Sequence, residues 1–284
     1  MTDTAARTAV VTGASSGIGQ AAAALLLQQG WHVIAHGRDP ERTRRAALAL
    51  HEAAPAGARL DMVMGDLALL SQADRLAGEI AALAPRIDAL LCNAGGVRAE
   101  KLVTAEGLEA TFSGNHLGHF LLVKRLAPNL AAAGHARVIM TSSSGHRVAA
   151  PCDWADPQSL GNWQSAPAYC RVKLYNILFA RALARRGAAQ GIIAHAMHPG
   201  IVASNFASHG DEAMQSYMAA ARLDPPGRSA ETLAWLASAE EPGRSTGRYW
   251  FDKAEEEPSA AAQSDEDADA LWRVSEELLA AAGF

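Results

Sequence analysis

The sequence predicts an α/β fold in a single domain, a parallel sheet of about seven strands with helices on both faces. Three observations carry that expectation. Short apolar runs alternate with helical patterns along the chain, the alternation that a parallel sheet requires. The first run, Ala9-Val10-Val11, passes through a glycine-rich turn straight into an Ala/Leu-rich helix. No linker-like stretch and no internal repeat divides the 284 residues.

The elements follow in order. Gly30 stops the first helix, and Val33-Ile34-Ala35 reads as the second strand. Asp39-Pro40 opens the next helix, with Pro at a position where its missing N–H costs nothing. Leu60-Asp61-Met62-Val63-Met64, Ala89-Leu90-Leu91-Cys92 and Arg137-Val138-Ile139-Met140-Thr141 read as strands three to five. Ile192-Ile193-Ala194-His195-Ala196 and Tyr249-Trp250-Phe251 read as the sixth and seventh. A helical pattern covers residues 104–130, where Pro128 is expected to bend or end it. Residues 255–269 are acidic and Ala-rich and read as an exposed loop before a last amphipathic helix over residues 271–281.

Composition narrows the function class. The chain is 49% apolar and 19% charged, as ordinary globular proteins are. A formal net charge of -5 gives no reason to expect nucleic acid or an anionic membrane as partner. The cluster Arg42, Arg44, Arg45 reads as a solvated helix face. The longest apolar run, residues 21–27, is too short to span a bilayer. Three cysteines, Cys92, Cys152 and Cys170, make an odd count with no repeated spacing and suggest reduced thiols. Met1-Thr2-Asp3-Thr4 does not begin a signal-peptide pattern, so a cytoplasmic location is expected. His116, His119, His146, His195 and His198 are scattered, and no carboxylate completes a ligand set, so no metal site is expected.

Two patterns carry chemistry. The turn Gly13-Ala14-Ser15-Ser16-Gly17-Ile18-Gly19 lies between a strand and a helix. Its glycines let a pyrophosphate approach the backbone, and the helix offers unpaired N–H groups to the phosphates. The second pattern is Tyr169 with Lys173, four residues apart on a predicted helix and so on one face, with Ser143 upstream after an apolar strand. A free phenol, with a pKa of about 10, is a poor acid at neutral pH. A neighbouring ammonium favours its ionised form and lowers that pKa.

The Thr12 to Gly19 turn, Asn93-Ala94-Gly95, Ser143 and Tyr169-x-x-x-Lys173 together resemble the short-chain dehydrogenase/reductase family over roughly residues 7–280. Asn115-His116-Leu117-Gly118-His119-Phe120, Tyr169 to Asn176, and the tail Gly247-Arg248-Tyr249-Trp250-Phe251 with Leu271-Trp272 are similar to its retinol-dehydrogenase-like branch. The resemblance implies a doubly wound Rossmann-like fold with its ligand at the carboxyl ends of the strands. Cys92 and Gly114 depart from the usual residues at their positions without removing a proposed chemical group.

The resemblance also implies roles. Gly13, Ser15, Ser16, Gly17, Ile18 and Gly19 would bind the nicotinamide cofactor. Asp66, with Leu67 beside it, would meet the adenine; a helix cap is the structural alternative for Asp66. Asn93, Ala94 and Gly95 would line the cofactor, and Pro199, Gly200, Val202 and Ser204 would cover the nicotinamide. Gly37 and Arg38 stand where NAD-dependent relatives commonly place an acidic side chain. A guanidinium there can grip a 2′-phosphate, so NADP(H) is favoured over NAD(H), with Asp39 read as a helix cap. Tyr169 would be the general acid or base, and Lys173 would tune it and hold the ribose. Ser143 would bind the substrate oxygen, with Ser142 as the alternative, and Asn115 would complete the tetrad by holding a water. Cys170 matches a common Tyr-Cys pair and reads as a packed thiol.

Residues 146–168, with Trp154 and Trp163, and residues 205–228, with Phe206, Met214, Tyr217 and Met218, are the expected substrate lids. No Arg or Lys is evidently committed to a substrate carboxylate, so a small apolar ketone, aldehyde or secondary alcohol is expected. The leading reading is an NADPH-dependent carbonyl reductase. The competing one is a nucleotide-sensing or scaffold protein of the same fold without turnover, and a nucleotide-sugar epimerase fits the glycine spacing poorly. A homodimer or homotetramer is left open by the resemblance.

Overall fold

The computed structural model describes residues 6–203, 206 and 210–284; Ser204 lies outside the described residues. The chain begins β1 (Thr8–Val11), α1 (Gly17–Gln28), β2 (His32–Gly37), α2 (Pro40–Ala53), β3 (Leu60–Met64), α3 (Leu70–Leu83) and β4 (Ala89–Cys92). A short turn α4 (Ala110–Phe112) runs through a wide π-type turn (Ser113–Leu117) into α5 (Gly118–Ala131). Then come β5 (Arg137–Thr141), α6 (Ser165–Arg186), β6 (Ile193–Met197), α7 (Glu212–Ala220) and α8 (Pro226–Ser238). The hairpin β7 (Tyr249–Phe251) and β8 (Ala254–Glu255) leads to α9 (Asp265–Ala281).

One sheet has the order β3-β2-β1-β4-β5-β6-β7-β8. Strands β1 to β7 are parallel, and β8 closes the edge antiparallel to β7. The chain winds outward from β1 to β3 and then returns to β4 on the other side of β1. That reversal opens a crevice above the carboxyl ends of β1 and β4.

Every residue of β1, β2 and β4 is buried, as expected of strands covered on both faces. Their side chains alternate between two cores. Val10, Ile34, Leu90 and Val138 join the core under α3, α5, α6 and α9. Ala9, Val11, Val33, Ala35, Ala89 and Leu91 join the core under α1 and α8. Helix α7 contributes no buried residue to either core. Among the described residues no helix is long and apolar enough to cross a membrane.

Three local expectations are corrected. The helix expected over residues 104–130 starts only at Ala110, because Thr104 is used in a turn and Glu109 caps the helix through Thr111 N and Phe112 N. Pro128 does not end α5, which continues to Ala131; in the last turn its ring forfeits only one internal hydrogen bond. The acidic segment 255–269 is no plain loop. It holds the last residue of β8 and the first turn of α9, where Ser264 caps the helix and Asp265, Glu266 and Asp267 complement its dipole.

Candidate active site

Thr12 fastens the two strand ends that frame the crevice. Its hydroxyl oxygen accepts from Asn93 N at 2.8 Å and Ala94 N at 2.9 Å. It also lies 2.9 Å from His119 Nε2. His119 Nδ1 faces the Asn115 carbonyl at 3.2 Å and must donate to it, so Nε2 is an acceptor for the one Thr12 hydroxyl proton, which also faces the Leu91 carbonyl at 3.1 Å. Burial holds His119 neutral, with its pKa pushed down to about 3. One chain of hydrogen bonds thus runs from the glycine-rich turn through β4 to the π-type turn that carries Asn115.

The glycine spacing has a steric cause. Gly13 has φ +70°, and a Cβ there would lie 2.9 Å from Ala94 Cα. A Cβ on Gly19 would collide with the Gly13 carbonyl. Gly19 therefore packs behind the turn, while Gly13, Ser15, Ser16, Gly17 and Ile18 line a cavity of about 720 Å³. His36 completes the support: its Nδ1 accepts from Gly13 N at 3.2 Å while Nε2 donates to the Gly65 carbonyl at 2.8 Å. Burial depresses its pKa, which favours the neutral form this pattern requires.

Arg38 follows β2 on the cavity wall, half-exposed, with Nη1 3.8 Å from Asp66 Oδ2. Asp39 caps α2 by accepting from Arg42 N at 2.8 Å. That cap places Arg42 in the first helical turn and on the same cavity wall. Arg42 is thus removed from the solvated cluster in which its sequence neighbours Arg44 and Arg45 remain, pairing with Glu41. Asp66 turns its own Oδ1 to Ala68 N at 2.9 Å and does not cap α3. Glu106 does that, accepting from Leu70 N at 2.6 Å and Ser71 N at 2.8 Å. Asp66, Leu67, Asn93, Ala94 and Gly95 all line the cavity.

The proposed reacting groups meet at the carboxyl ends of β4 and β5. Asn115 lies in the π-type turn, a geometry frequent at functional sites. Its amide donates to the Gly96 and Thr111 carbonyls at 3.0 and 2.9 Å and accepts from Gly96 N at 3.1 Å. Ser142 spends its hydroxyl on the Lys173 carbonyl at 2.7 Å. Ser143 Oγ accepts from Gly145 N at 3.1 Å and lies beside the Tyr169 phenol. Tyr169 and Lys173 are 8% and 4% exposed, one turn apart on α6. Lys173 Nζ donates to the Thr141 carbonyl at 3.1 Å, and burial pushes its pKa down to about 7.

The lowered phenol pKa expected from the sequence is not found in this environment. Burial raises the Tyr169 pKa well above its ordinary value, and the Ser143 hydrogen bond only partly offsets it. The Lys173 ammonium sits 5.5 Å from the centre of the ring, itself desolvated.

Much of the rest of the cavity is apolar, with Arg98 and Asp211 also on its wall. Pro199, Gly200 and Val202 line it, as do Phe206, Met214, Tyr217 and Met218 from the second expected lid segment. Phe206 packs on Tyr169 with ring centroids 4.9 Å apart. From the first segment only Val148 and Ala166, with Gly145 just before, reach the cavity. Trp154 turns away: it stacks on Tyr175 at 5.7 Å and donates to Asp267 Oδ1 at 2.9 Å. Trp163 does not line the cavity either. Sequence reasoning missed His36, Arg42 and Arg98, all on the wall. Only Arg42 left a signal, since a cap at Asp39 puts it beside Arg38. Among the described residues no group of three or more His, Cys, Asp or Glu side chains is placed to hold a metal ion.

Comparison with known proteins places this architecture. A family profile described as short chain dehydrogenase matches residues 7–215. Retinol dehydrogenase 14 of Homo sapiens is 33% identical over 290 residues, covering 96% of this chain and 86% of that protein. A protein of Streptomyces sp. (strain C5), provisionally named daunorubicin C-13 ketoreductase, is 35% identical over 251 residues, 87% of this chain and 83% of its own. The Pseudomonas aeruginosa RhlG/NADP active-site complex superposes with a TM-score of 0.69 at 27% identity, covering 87% of this chain and 94% of that one.

Proposed function

The chain belongs to the short-chain dehydrogenase family, in its retinol-dehydrogenase-like branch, and we propose that this oxidoreductase is an NADPH-dependent reductase of hydrophobic ketones or aldehydes. The observation that carries the reading is one continuous cavity. It joins the glycine turn and Arg38 at one end to Ser143, Tyr169, Lys173 and an apolar wall at the other.

The residues present fit a dinucleotide. A Cβ at Gly13 or Gly19 would collide with Ala94 or with the Gly13 carbonyl, so these two glycines let the turn close up in the shape that suits a pyrophosphate. Arg38 and Arg42 offer two guanidiniums where β2 ends, and Gly37 offers no carboxylate to repel a 2′-phosphate. Pro199, Gly200 and Val202 form the opposite wall, and Ser204 is assigned by resemblance to the carboxamide. When bound, the reduced nicotinamide supplies a hydride to the substrate carbonyl carbon.

The protein's own part is proton handling and positioning. Ser143 Oγ accepts from Gly145 N, which leaves its proton for the substrate oxygen. Tyr169, held protonated by burial, gives its proton to the same oxygen as negative charge develops there. Lys173, fixed by Thr141, would hold the ribose hydroxyls and, when protonated, place positive charge near the phenol. Asn115 braces Gly95 and Gly96 against that ammonium. Of the two segments expected as substrate lids, 205–228 would supply most of the wall and 146–168 only Val148 and Ala166, and the wall of Val148, Phe206, Met214, Tyr217 and Met218 selects apolar bodies. Relatives named for retinol and for a daunorubicin ketone suit a wall of that kind.

Fluorescence titration with NADPH and NADH, followed by assay against apolar ketones and alcohols, tests the reading. Tighter NADPH binding with ketone reduction is expected. Tighter NADH binding would overturn the cofactor assignment, and binding without any turnover would favour the sensor.

A further inference from the structure

Two imidazoles stand directly behind the cavity wall, and one short C-terminal segment holds both. The hydrogen bond from Ser142 N to the Met197 carbonyl, at 2.7 Å, is the last backbone bond joining the ends of β5 and β6 among the described residues. Ser143 follows one strand end and Pro199-Gly200 the other. The sheet ladder therefore does not set their spacing.

The first arm reaches Ser143. His146 Nε2 accepts from Ser259 N at 3.1 Å, so Nδ1 carries the proton and donates to the Ser143 carbonyl at 2.7 Å. The second arm reaches Gly200. Gly200 N donates to His198 Nδ1 at 3.3 Å, so Nε2 carries the proton and donates to Glu256 Oε2 at 2.8 Å. His198 is further fixed by stacking on Phe251, ring centroids 4.2 Å apart and planes within 6°.

Glu256 ties the second arm to Arg147, the residue that follows His146. Glu256 Oε1 accepts from Arg147 Nη2 at 2.9 Å, and the same nitrogen donates to the Glu257 carbonyl at 2.7 Å. Glu256 N is anchored on the Tyr249 carbonyl at 2.9 Å. None of His146, His198 and Glu256 lines the cavity, yet each imidazole bonds directly to a residue that does. Ser229 Oγ also holds the Pro199 carbonyl, at 2.6 Å, but has no bond to the Ser143 turn.

We propose that residues 256–259 form a strap that sets the distance between the Ser143 turn and the Pro199-Gly200 wall. Glu256 is its hub, and His146 and His198 are its positioning residues. The inference rests on the proposed function for its catalytic consequence, though not for its structural one. A purely stabilising cluster would loosen the whole fold when cut. A strap would loosen only the two segments it ties.

The experiment compares the full chain with Glu256→Ala, Glu256→Gln and Ser259→Pro by hydrogen exchange, NADPH fluorescence titration and ketone turnover. Glu256→Gln keeps an oxygen for His198 Nε2–H. Ser259 has φ -60°, so proline fits its backbone; it deletes the N–H given to His146 together with the buried Ser259 hydroxyl. In Glu256→Ala, exchange at residues 143–148 and 198–202 should rise about tenfold, with β1 to β4 unchanged. NADPH binding should weaken several-fold and kcat fall by about tenfold or more, out of proportion to KM for the ketone. Glu256→Gln should recover the Gly200 arm, and Ser259→Pro should loosen only residues 143–148. The strap is overturned if Glu256→Ala matches the parent in exchange and NADPH affinity. It is equally overturned if exchange rises uniformly through the sheet in Glu256→Ala and Ser259→Pro alike. If the parent neither binds NADPH nor reduces any ketone, the proposed function fails alone, and the exchange pattern still decides the strap.

Discussion

Lys173 Nζ stands 5.5 Å from the centre of the Tyr169 ring while donating at 3.1 Å to the carbonyl of Thr141, the last residue of β5. The sheet, not the phenol, therefore fixes the ammonium. Asn176 Nδ2 donates to the same carbonyl at 3.0 Å, so the end of β5 is gripped twice by α6. With both groups almost wholly buried, the geometry puts a protonated phenol and a desolvated ammonium on one wall.

Tyr169→Phe removes the transferable proton and leaves the ring that packs on Phe206. Ketone turnover should fall by a factor of about 100 or more, the range for loss of a general acid. NADPH affinity should change less than about threefold, since no phosphate contact is touched. Steady-state kinetics and titration of the same preparation check both. Wild-type kcat in the variant would refute the proton role.

Arg38→Ala should weaken NADPH about ten- to a hundredfold, the worth of a charge-assisted hydrogen bond, and NADH hardly at all. Arg42→Ala should show the same selectivity with a smaller loss, because its Nε also lies 3.6 Å from Asp39. The readout is the ratio of the two dissociation constants in each variant. An equal loss for both cofactors would mean the guanidiniums only shape the wall.

The sequence made the frame and the local motifs legible, because both are written in short spacings. The strand runs and the glycine turn have periods of a few residues, and Tyr169 with Lys173 needs only one helical turn. Groups defined by distant partners were not legible. His36 matters through Gly13 and Gly65, and Thr12 matters through Asn93 and His119, pairs 23 to 107 residues apart. Trp154 was misread because an aromatic residue near a lid does not say which way it faces. The start of α9 was missed because an acidic run suits an exposed loop and a helix N-terminus equally.

Thr12→Val keeps the shape of the side chain and deletes the oxygen that satisfies Asn93 N and Ala94 N. Asn93 N keeps a second bond, to the Leu91 carbonyl at 2.9 Å, but Ala94 N and His119 Nε2 lose this partner, which should cost about 2–4 kcal/mol in urea unfolding. The glycine turn and the β4 end would also lose their fastening, so NADPH affinity should fall in parallel. Val at this position with unchanged stability would show that the hydroxyl is dispensable to the crevice.

Acid should destabilise the protein through its buried imidazoles. Burial first, and then the proximity of His119, brings His116 down to about 3, and burial does the same for His119. A group depressed in the folded state contributes fully above the unfolded value of about 6.5, and that contribution is lost as pH falls toward the folded value. At pH 5 each histidine alone should therefore have withdrawn about 2 kcal/mol relative to pH 7, from roughly 1.5 units at 1.36 kcal/mol per unit. His116 packs against Phe112, Phe120, Tyr175 and Phe179 and, among the described residues, its side chain bonds only Ser275, at 2.8 Å, which makes it the cleaner probe. His116→Gln should lower stability at pH 7 and flatten its decline between pH 6.5 and 5. Urea unfolding at pH 7, 6 and 5 measures both quantities. An unchanged slope in the variant would show that His116 is not among the groups taking up protons on unfolding.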